Sequence, residues 1–572
     1  MGLALIVGSG GAAAAYIFRN LIQGFQYVFF DRGQDILSFA GDYYVIVIPA
    51  IGGAIVGPII YFFAKEAKGH GVPVVMAAIA LQGGKIRPRV VVVKALASAL
   101  TIGSGGSVGR EGPIVHVGSA IGSVVAQKLK LSPTWTSTLV ASGAAAGISA
   151  TFNAPLAGIF FAMEVILRKY ESRTFIVVVL SSVVASAITQ SFFGNQPAFS
   201  VPIYELVSPW EFVFYSILGV LAAITGHGFV TILYATEDLF EKIKSIPSYL
   251  MPIIGGLIVG TIGLFYPQVF GVGYEVIDVF DMPLQSIDGA LVGALSIGLM
   301  AALLFVKIVA TSVTLGSGGS GGVFAPSLFI GVMLGGIFGA VVHSLFPDIT
   351  ASSGAYALVG MAAVFAAGAR APATAIIILF EMTRDYKIIV PLMTAVVIAV
   401  AVAQGLRKAN IYTIKLLRRG VDIDGMNRGD LLEDVLVGDV MTRDYPTVTS
   451  TITIAELADK FAASGHHGFP VVDSNNDLTG IITITDLEKV QRDPSITVDE
   501  ITTHNVIVVY TDQSLKDVLS RFGARDLGRY PVVSRDNPKK LLGVLRRRDI
   551  IMAYAGKVNS GLPSDLSSAR PE

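Results

Sequence analysis

The chain has no cysteine and little charge. With Cys 0 in 572 residues, disulfides and thiolate metal sites are excluded, and a reducing compartment suits the polar C-terminal part. Asp, Glu, Lys and Arg make up only 15%, against roughly 25% in ordinary soluble proteins. The 42 basic and 42 acidic residues cancel, so no basic surplus points to nucleic acid. No basic stretch precedes the first apolar run, so a cleaved leader is not expected. The chain starts almost inside an apolar helix, and a longer natural N-terminus is the expectation that raises. Neither a nucleophile–base set nor a cluster of metal ligands is found, so no enzyme and no metal partner is expected. Gly109 is followed by Arg110-Glu111 instead of Lys-Ser/Thr, so the glycine-rich stretches are not nucleotide-binding Walker loops.

Apolar residues take the place of charge. The hydrophobic fraction is 53% and the mean hydropathy +0.66. Charges are sparse up to about Arg407 and frequent beyond it, the pattern of a multi-pass membrane domain followed by a soluble tail. Several apolar segments are shorter than the ~20 residues that span a bilayer, and glycine or proline interrupts many of them. Short broken helices survive at membrane depth only where protein buries them or they line a cavity.

One stretch occurs twice: TIGSGGSVGREGP at Thr101–Pro113 and TLGSGGSGGVFAP at Thr314–Pro326. Each is a glycine-rich turn between two apolar segments, with a proline suited to a first helical turn. A helix start carries unpaired N–H groups and the positive end of the helix dipole, so it attracts anions. Two such starts in corresponding places mark a transport site at a repeat interface. The similarity extends to Gly143–Glu164 and Gly360–Glu381, pairing Ala154-Pro155 with Ala371-Pro372 and Glu164 with Glu381. The expected repeats are residues 1–195 and 205–415, inverted by preference because the helices are broken. Residues 416–436 read as a linker. Arg407, Lys408, Lys415, Arg418 and Arg419 follow the last apolar segment and put that end in the cytoplasm.

The tail is itself duplicated, over 437–491 and 497–556. Both copies have a strand, an amphipathic helix, a [FY]-P-V-V strand and a G-[IV]-[IL]-x-x-x-D turn. Residues 557–572 are polar and read as disordered.

The membrane part resembles the CLC family of chloride channels and chloride/proton exchangers, and the tail resembles a tandem pair of CBS domains. GREGP at Gly109–Pro113, G-x-F-x-P at Gly322–Pro326 and the NAPLAG turn at Asn153–Gly158 carry the first resemblance. The implied fold is a polytopic α-helical membrane protein of two inverted repeats with short broken helices (the CLC fold), followed by a cytoplasmic α/β tandem CBS domain. The resemblance also implies a homodimer in membrane lipid, with one anion pathway per subunit. The expected location is the plasma (cell inner) membrane.

Site residues follow from the same match. Glu111 is expected to gate the pathway: at a helix start its carboxylate competes with chloride for the same N–H groups, and protonation or displacement would open the path. Gly69, His70 and Gly71 stand where the family has G-S-G. Arg110, Gly112, Val323, Phe324, Ala325 and Tyr412 complete the expected anion-binding set. Family exchangers carry two glutamates after the NAPLAG helix, the second being the internal proton acceptor; here the pair is Glu164-Val165. Valine carries no proton, and Glu164, with its repeat mate Glu381, reads as structural. A gated chloride channel is therefore expected, with a chloride/proton exchanger using a non-standard internal relay as the alternative. A CBS-regulated cation transporter is a distant one, since the acids Glu111, Glu164 and Glu381 look isolated.

In the tail, CBS domains hold the ribose of an adenine nucleotide (ATP, ADP or AMP) through G-x-x-[ST]-x-x-D. Copy one keeps Thr483 and Asp486. Copy two keeps Asp549 but has Arg546 at the hydroxyl position, so a single or degenerate nucleotide site is expected. His466 and His467 read as a loop pair and not as metal ligands.

Overall fold

The computed structural model describes residues 1–36, 38–194, 206–274, 285–287, 290–292, 296–418, 432, 435–488, 496–524 and 529–560. It divides into two compact units, Met1–Val421 and Asp422–Glu572.

Among its described residues the first unit is built of helices joined by loops, apart from one short hairpin, Gln285–Ile287 with Ala290–Val292. Among the described residues seven helices are long and apolar enough to cross a membrane, including Glu211–Lys242 and Phe324–Leu345. Others are too short, such as Val72–Gln82, Pro155–Leu167 and Pro372–Thr383. The breaks recur at matching places. The Pro133–Phe152 helix ends at Asn153 in the left-handed region (φ 55) and the next begins at Pro155. Ser353–Ala369 ends the same way at Arg370 (φ 54), and its successor begins at Pro372.

Two sets of contacts show that the repeats run in opposite directions. The Tyr44–Pro58 and Met251–Phe265 helices carry the same pattern, G-G-x-I-V-G, at Gly52–Gly57 and Gly255–Gly260. They pack so closely that a Cβ on Gly53 would meet the Pro252 carbonyl and one on Gly256 the Pro49 carbonyl. That exchange of partners requires antiparallel mates. Without a hydrophobic drive between helices in lipid, small residues that let backbones approach supply the packing. The second set involves Glu164 and Glu381. Glu164 accepts from the N–H groups of Ala373 and Thr374 (3.1 and 2.8 Å) and from the Thr374 hydroxyl (2.6 Å). Glu381 accepts from Leu156 and Ala157 (2.9 and 2.7 Å). Each glutamate near the end of one broken helix caps the start of its mate.

Those acids thus bond backbone N–H groups and a hydroxyl, in keeping with the structural role they have in the sequence reading. Glu211, absent from it, is also fully buried; it accepts from the Val207 N–H at 3.2 Å and from the Ala351 N–H.

The second unit repeats one small fold. Val448–Thr449 pairs parallel with Gly468–Val472, which pairs antiparallel with Leu478–Thr483. Val509–Tyr510, Arg529–Val533 and Leu541–Arg546 copy that order, down to the register shift at Val471/Val472 and Val532/Val533. Amphipathic helices Ile454–Ser464 and Leu515–Ala524 cover the sheets, burying Leu457 and Phe461 in one core and Leu515 and Val518 in the other. The last helix runs Arg547–Ser560, so residues 557–560 are helical where disorder was expected; 561–572 lie outside the described residues. Of the linker, 416 and 417 end the Thr413–Leu417 helix, and 419–431 and 433–434 lie outside the described residues.

Candidate functional site

The two glycine-rich loops meet face to face. Gly109 N–H donates to the Gly322 carbonyl (2.8 Å) and Gly322 N–H returns a bond to Gly109 (2.6 Å). The flanks are exchanged too: Ser107 N–H donates to Thr314 Oγ1 (3.2 Å) and Ser320 N–H to Thr101 Oγ1 (3.3 Å). These bonds put the starts of the Glu111–Lys128 and Phe324–Leu345 helices side by side. Their first-turn N–H groups point into the protein interior.

Glu111 lies between them, 1% exposed. Its Oε2 accepts from the Ala325 N–H at 3.4 Å, and its Oε1 from the Tyr274 hydroxyl at 2.5 Å. Gly112 packs against the His70 carbonyl and the Gly322 backbone, which brings the third segment, Gly69–Gly71, to the same point. Val323 is the N-cap of its helix. The Phe324 ring sits between Phe152 (5.5 Å) and Phe365 (4.4 Å), so its side chain is a wedge and its backbone faces the site. Tyr412 caps the Thr413–Leu417 helix, is buried, and has its ring 6.0 Å from that of His70.

The inner loop is held by a lysine. Gly69 and Gly71 take positive φ (75 and 80), a region glycine enters without steric cost. Buried Lys94 donates to the carbonyls of Ala67 (2.9 Å) and Gly69 (2.7 Å) and to Ser320 Oγ (2.9 Å). His70 Nε2 is 3.4 Å from the Tyr234 hydroxyl, while its Nδ1 has no protein partner among the described residues. Beyond His70 lies a cavity of about 260 Å³ lined by Lys65, Lys68, Glu237, Glu241 and Lys415. There Lys415 pairs with Glu237 at 2.6 Å.

An outer loop of the same design had gone unread. Gly271 and Gly273 have φ 58 and 86. Buried Lys307 donates to the carbonyls of Val269 (3.0 Å) and Gly271 (3.2 Å), as Lys94 does to Ala67 and Gly69. Lys94 precedes Glu111 by the same interval as Lys307 precedes Phe324. The G-x-G spacing and the lysine were the available signals. Arg110 turns to this side, its guanidinium 5.2 Å from the Tyr274 ring centre. With Arg19, Gln23, Gln26 and Gln268 it lines a cavity of about 370 Å³, and among the described residues no acid lines that wall.

Val165 is buried in the stretch Phe161–Leu167, one residue past the capping Glu164. Among the described residues no three His, Asp or Glu converge on a metal position. In the tail, Thr483 donates its N–H (3.0 Å) and O–H (2.6 Å) to Asp486 Oδ2. Thr483 pairs with Gly468 in its sheet, as Arg546 pairs with Arg529, so Arg546 occupies the hydroxyl position of copy two. Its guanidinium spans both Asp549 oxygens (Nη2–Oδ1 2.8 Å, Nε–Oδ2 3.0 Å). Those bonds raise the Arg546 pKa above its ordinary value. His466 packs on Tyr445, with ring centres 4.9 Å apart.

Inverted repeats of broken helices around converging helix starts define a multi-pass membrane transporter. The comparisons with known proteins name its family. Residues 52–404 match the voltage gated chloride channel family, and residues 437–493 and 498–556 match CBS domains. The chain belongs to the CLC family, whose members are channels and transporters of anions. It is 33% identical over 424 residues to the H(+)/Cl(-) exchange transporter ClcA of Yersinia pestis, covering 70% of this chain and 86% of that one. To chloride channel protein CLC-f of Arabidopsis thaliana it is 30% identical over 580 residues, covering 88% and 72%. Among solved structures, a slow cyanobacterial Cl-/H+ antiporter superposes with TM-score 0.67 at 25% identity over 73% of this chain and 97% of that one. A eukaryotic CLC transporter shares the fold at TM-score 0.71 and 20% identity, covering 96% of this chain and 97% of that one. Family membership leaves the cation-transporter reading without support.

Proposed function

We propose that the protein passes chloride through one pathway in each subunit of a homodimer in the plasma membrane, as a channel gated by Glu111. The observation that carries this reading is the Glu111 carboxylate at the start of the Phe324–Leu345 helix, taking the Ala325 N–H that an anion would otherwise use. Protonation weakens that hold, so flux should rise as pH falls. Gly69, His70, Gly71, Gly112, the backbone of Val323–Ala325 and the Tyr412 hydroxyl line the anion route, and Arg110 adds positive field at its outer end. Val165, apolar and buried, stands where an exchanger needs an acid. The CBS pair faces the cytoplasm and senses an adenine nucleotide through copy one.

A specific observation also favours proton-coupled exchange. The exchange transporters among the relatives are as similar as the channels. Buried His116 has no protein partner at either ring nitrogen among the described residues, and His70 none at Nδ1; together they could relay a proton past Val165. The deciding experiment is the reversal potential of the reconstituted protein under a proton gradient. A channel holds the chloride equilibrium voltage whatever the pH difference, and Glu111→Gln raises flux and flattens its pH dependence. A reversal potential that moves with the proton gradient overturns the channel reading. Unchanged flux and pH profile in Glu111→Gln remove the gate.

A further inference from the structure

We propose that Tyr274 is the outer latch of the pathway: its hydroxyl tethers the Glu111 carboxylate in the closed position, and breaking that bond opens the route to the outer cavity. The inference rests on the reading of Glu111 as the gate and adds to it a positioning residue that no motif contains.

The carboxylate has two tethers of unequal length. The Ala325 N–H is 3.4 Å from Oε2, whereas the Tyr274 hydroxyl is 2.5 Å from Oε1. Charge-assisted O–H···O⁻ bonds are the short, strong class, so the phenol is the main hold. Its own position is fixed from three sides. The Arg110 guanidinium lies over the ring, an attraction strengthened away from water. The Phe152 ring meets it edge-on at 6.4 Å and 64°. Behind it the loop is pinned by Lys307 through Val269 and Gly271.

The repeat comparison assigns the device to the outer side alone. Matching the carbonyls taken by Lys94 with those taken by Lys307 aligns Gly71 with Gly273 and Val72 with Tyr274. Valine offers no donor, so the inner loop has no such latch. Tyr274 and Arg110 both line the outer cavity, so a carboxylate released from the phenol has an open, cationic space beside it. Outside protons and anions reach the latch from that same cavity.

The groups facing Glu111 are Arg110 at the cap of its own helix, Tyr274 on the outer loop, Tyr412 at the C-terminal short helix, and the Ala325 N–H. Of these, Tyr274 donates the shortest bond to the carboxylate.

The test is chloride efflux from proteoliposomes holding the full-length chain, titrated with external pH, for wild type, Tyr274→Phe, Glu111→Gln and the double variant. Tyr274→Phe keeps the ring beneath Arg110 and removes only the donor. It should speed efflux at neutral pH by roughly 10- to 150-fold, the range expected for one lost bond to a charged group. Its pH midpoint should move upward, because the ionised closed form loses its donor. The double variant should run no faster than Glu111→Gln. Tyr274→His, which keeps a ring donor, should recover part of the wild-type profile. Wild-type rate and profile in Tyr274→Phe, alongside a faster Glu111→Gln, would overturn the latch and leave the gate standing. Equal slowing by Tyr274→Phe in both backgrounds would make the residue a packing element and also overturn it. If Glu111→Gln itself changes nothing, the gate reading fails first.

Discussion

The first membrane repeat places Glu111 where the second places Phe324, on loops that agree in backbone bonds and in their flanking threonines and serines. The same contrast recurs at the loops beside them, with His70 and Val72 inside against Val272 and Tyr274 outside. Two identical frames therefore carry different side chains. The frame supplies helix starts and lysine-pinned turns twice over, and the substitutions give the pathway an inside and an outside. A transport route with directional gating needs that asymmetry, and an inverted duplication provides the symmetric background on which it stands out.

If the frame is truly shared, breaking it in either repeat should do equal harm. Gly53→Val and Gly256→Val each push a side chain against a backbone carbonyl of the opposite helix. Neither helix can retreat without opening the repeat interface, so each should cost more than about 3 kcal/mol. We expect neither variant to give a monodisperse peak on size exclusion in mild detergent. A folded Gly53→Val beside an aggregated Gly256→Val would mean that the two crossings are not equivalent.

Much of this frame could be read in the sequence, and what could not has physical reasons. The glycine-rich loops, the helix-starting prolines and the Glu164/Glu381 pair were visible because proline and charge are conspicuous in apolar runs. The Gly52–Gly57 and Gly255–Gly260 patterns were not, since glycine inside an apolar segment reads only as a weak helix former. Tyr274 was missed because its bond to Glu111 joins residues 163 apart, and no local pattern announces such a contact. Glu211 drew no reading, since an acid at a helix start is ordinary and only its burial and the Ala351 N–H bond set it apart.

A milder break separates the two capping glutamates. Glu164→Ala leaves two N–H groups and the Thr374 hydroxyl without their acceptor, whereas Glu381→Ala leaves two N–H groups. Each loss should cost about 2–3 kcal/mol, with Glu164→Ala at the upper end. Thermal melts in detergent should therefore rank wild type above Glu381→Ala, and Glu381→Ala above Glu164→Ala. The reverse order would show that the hydroxyl bond contributes nothing.

The smallest effect tests the same logic in the second duplication. Both CBS copies share strand order, register shift and a terminal aspartate, yet copy one faces its aspartate with Thr483 and copy two with Arg546. A ribose needs a carboxylate able to accept from its hydroxyls. In copy two the Arg546 fork takes both Asp549 oxygens and neutralises their charge. In copy one the Thr483 bonds both fall on Oδ2 of Asp486, and a neutral hydroxyl is displaced at far lower cost than a bidentate guanidinium. We therefore expect the full-length protein in detergent to bind one adenine nucleotide per chain by equilibrium dialysis. Asp486→Asn should weaken binding about tenfold, or ~1.4 kcal/mol, and Asp549→Asn should leave it unchanged. Arg546→Thr frees Asp549 and should raise the stoichiometry towards two. Two nucleotides per wild-type chain, or loss of binding in Asp549→Asn, would show that the arginine does not close the second site. The two copies would then differ in sequence without differing in function, which is the opposite of what the membrane repeats display.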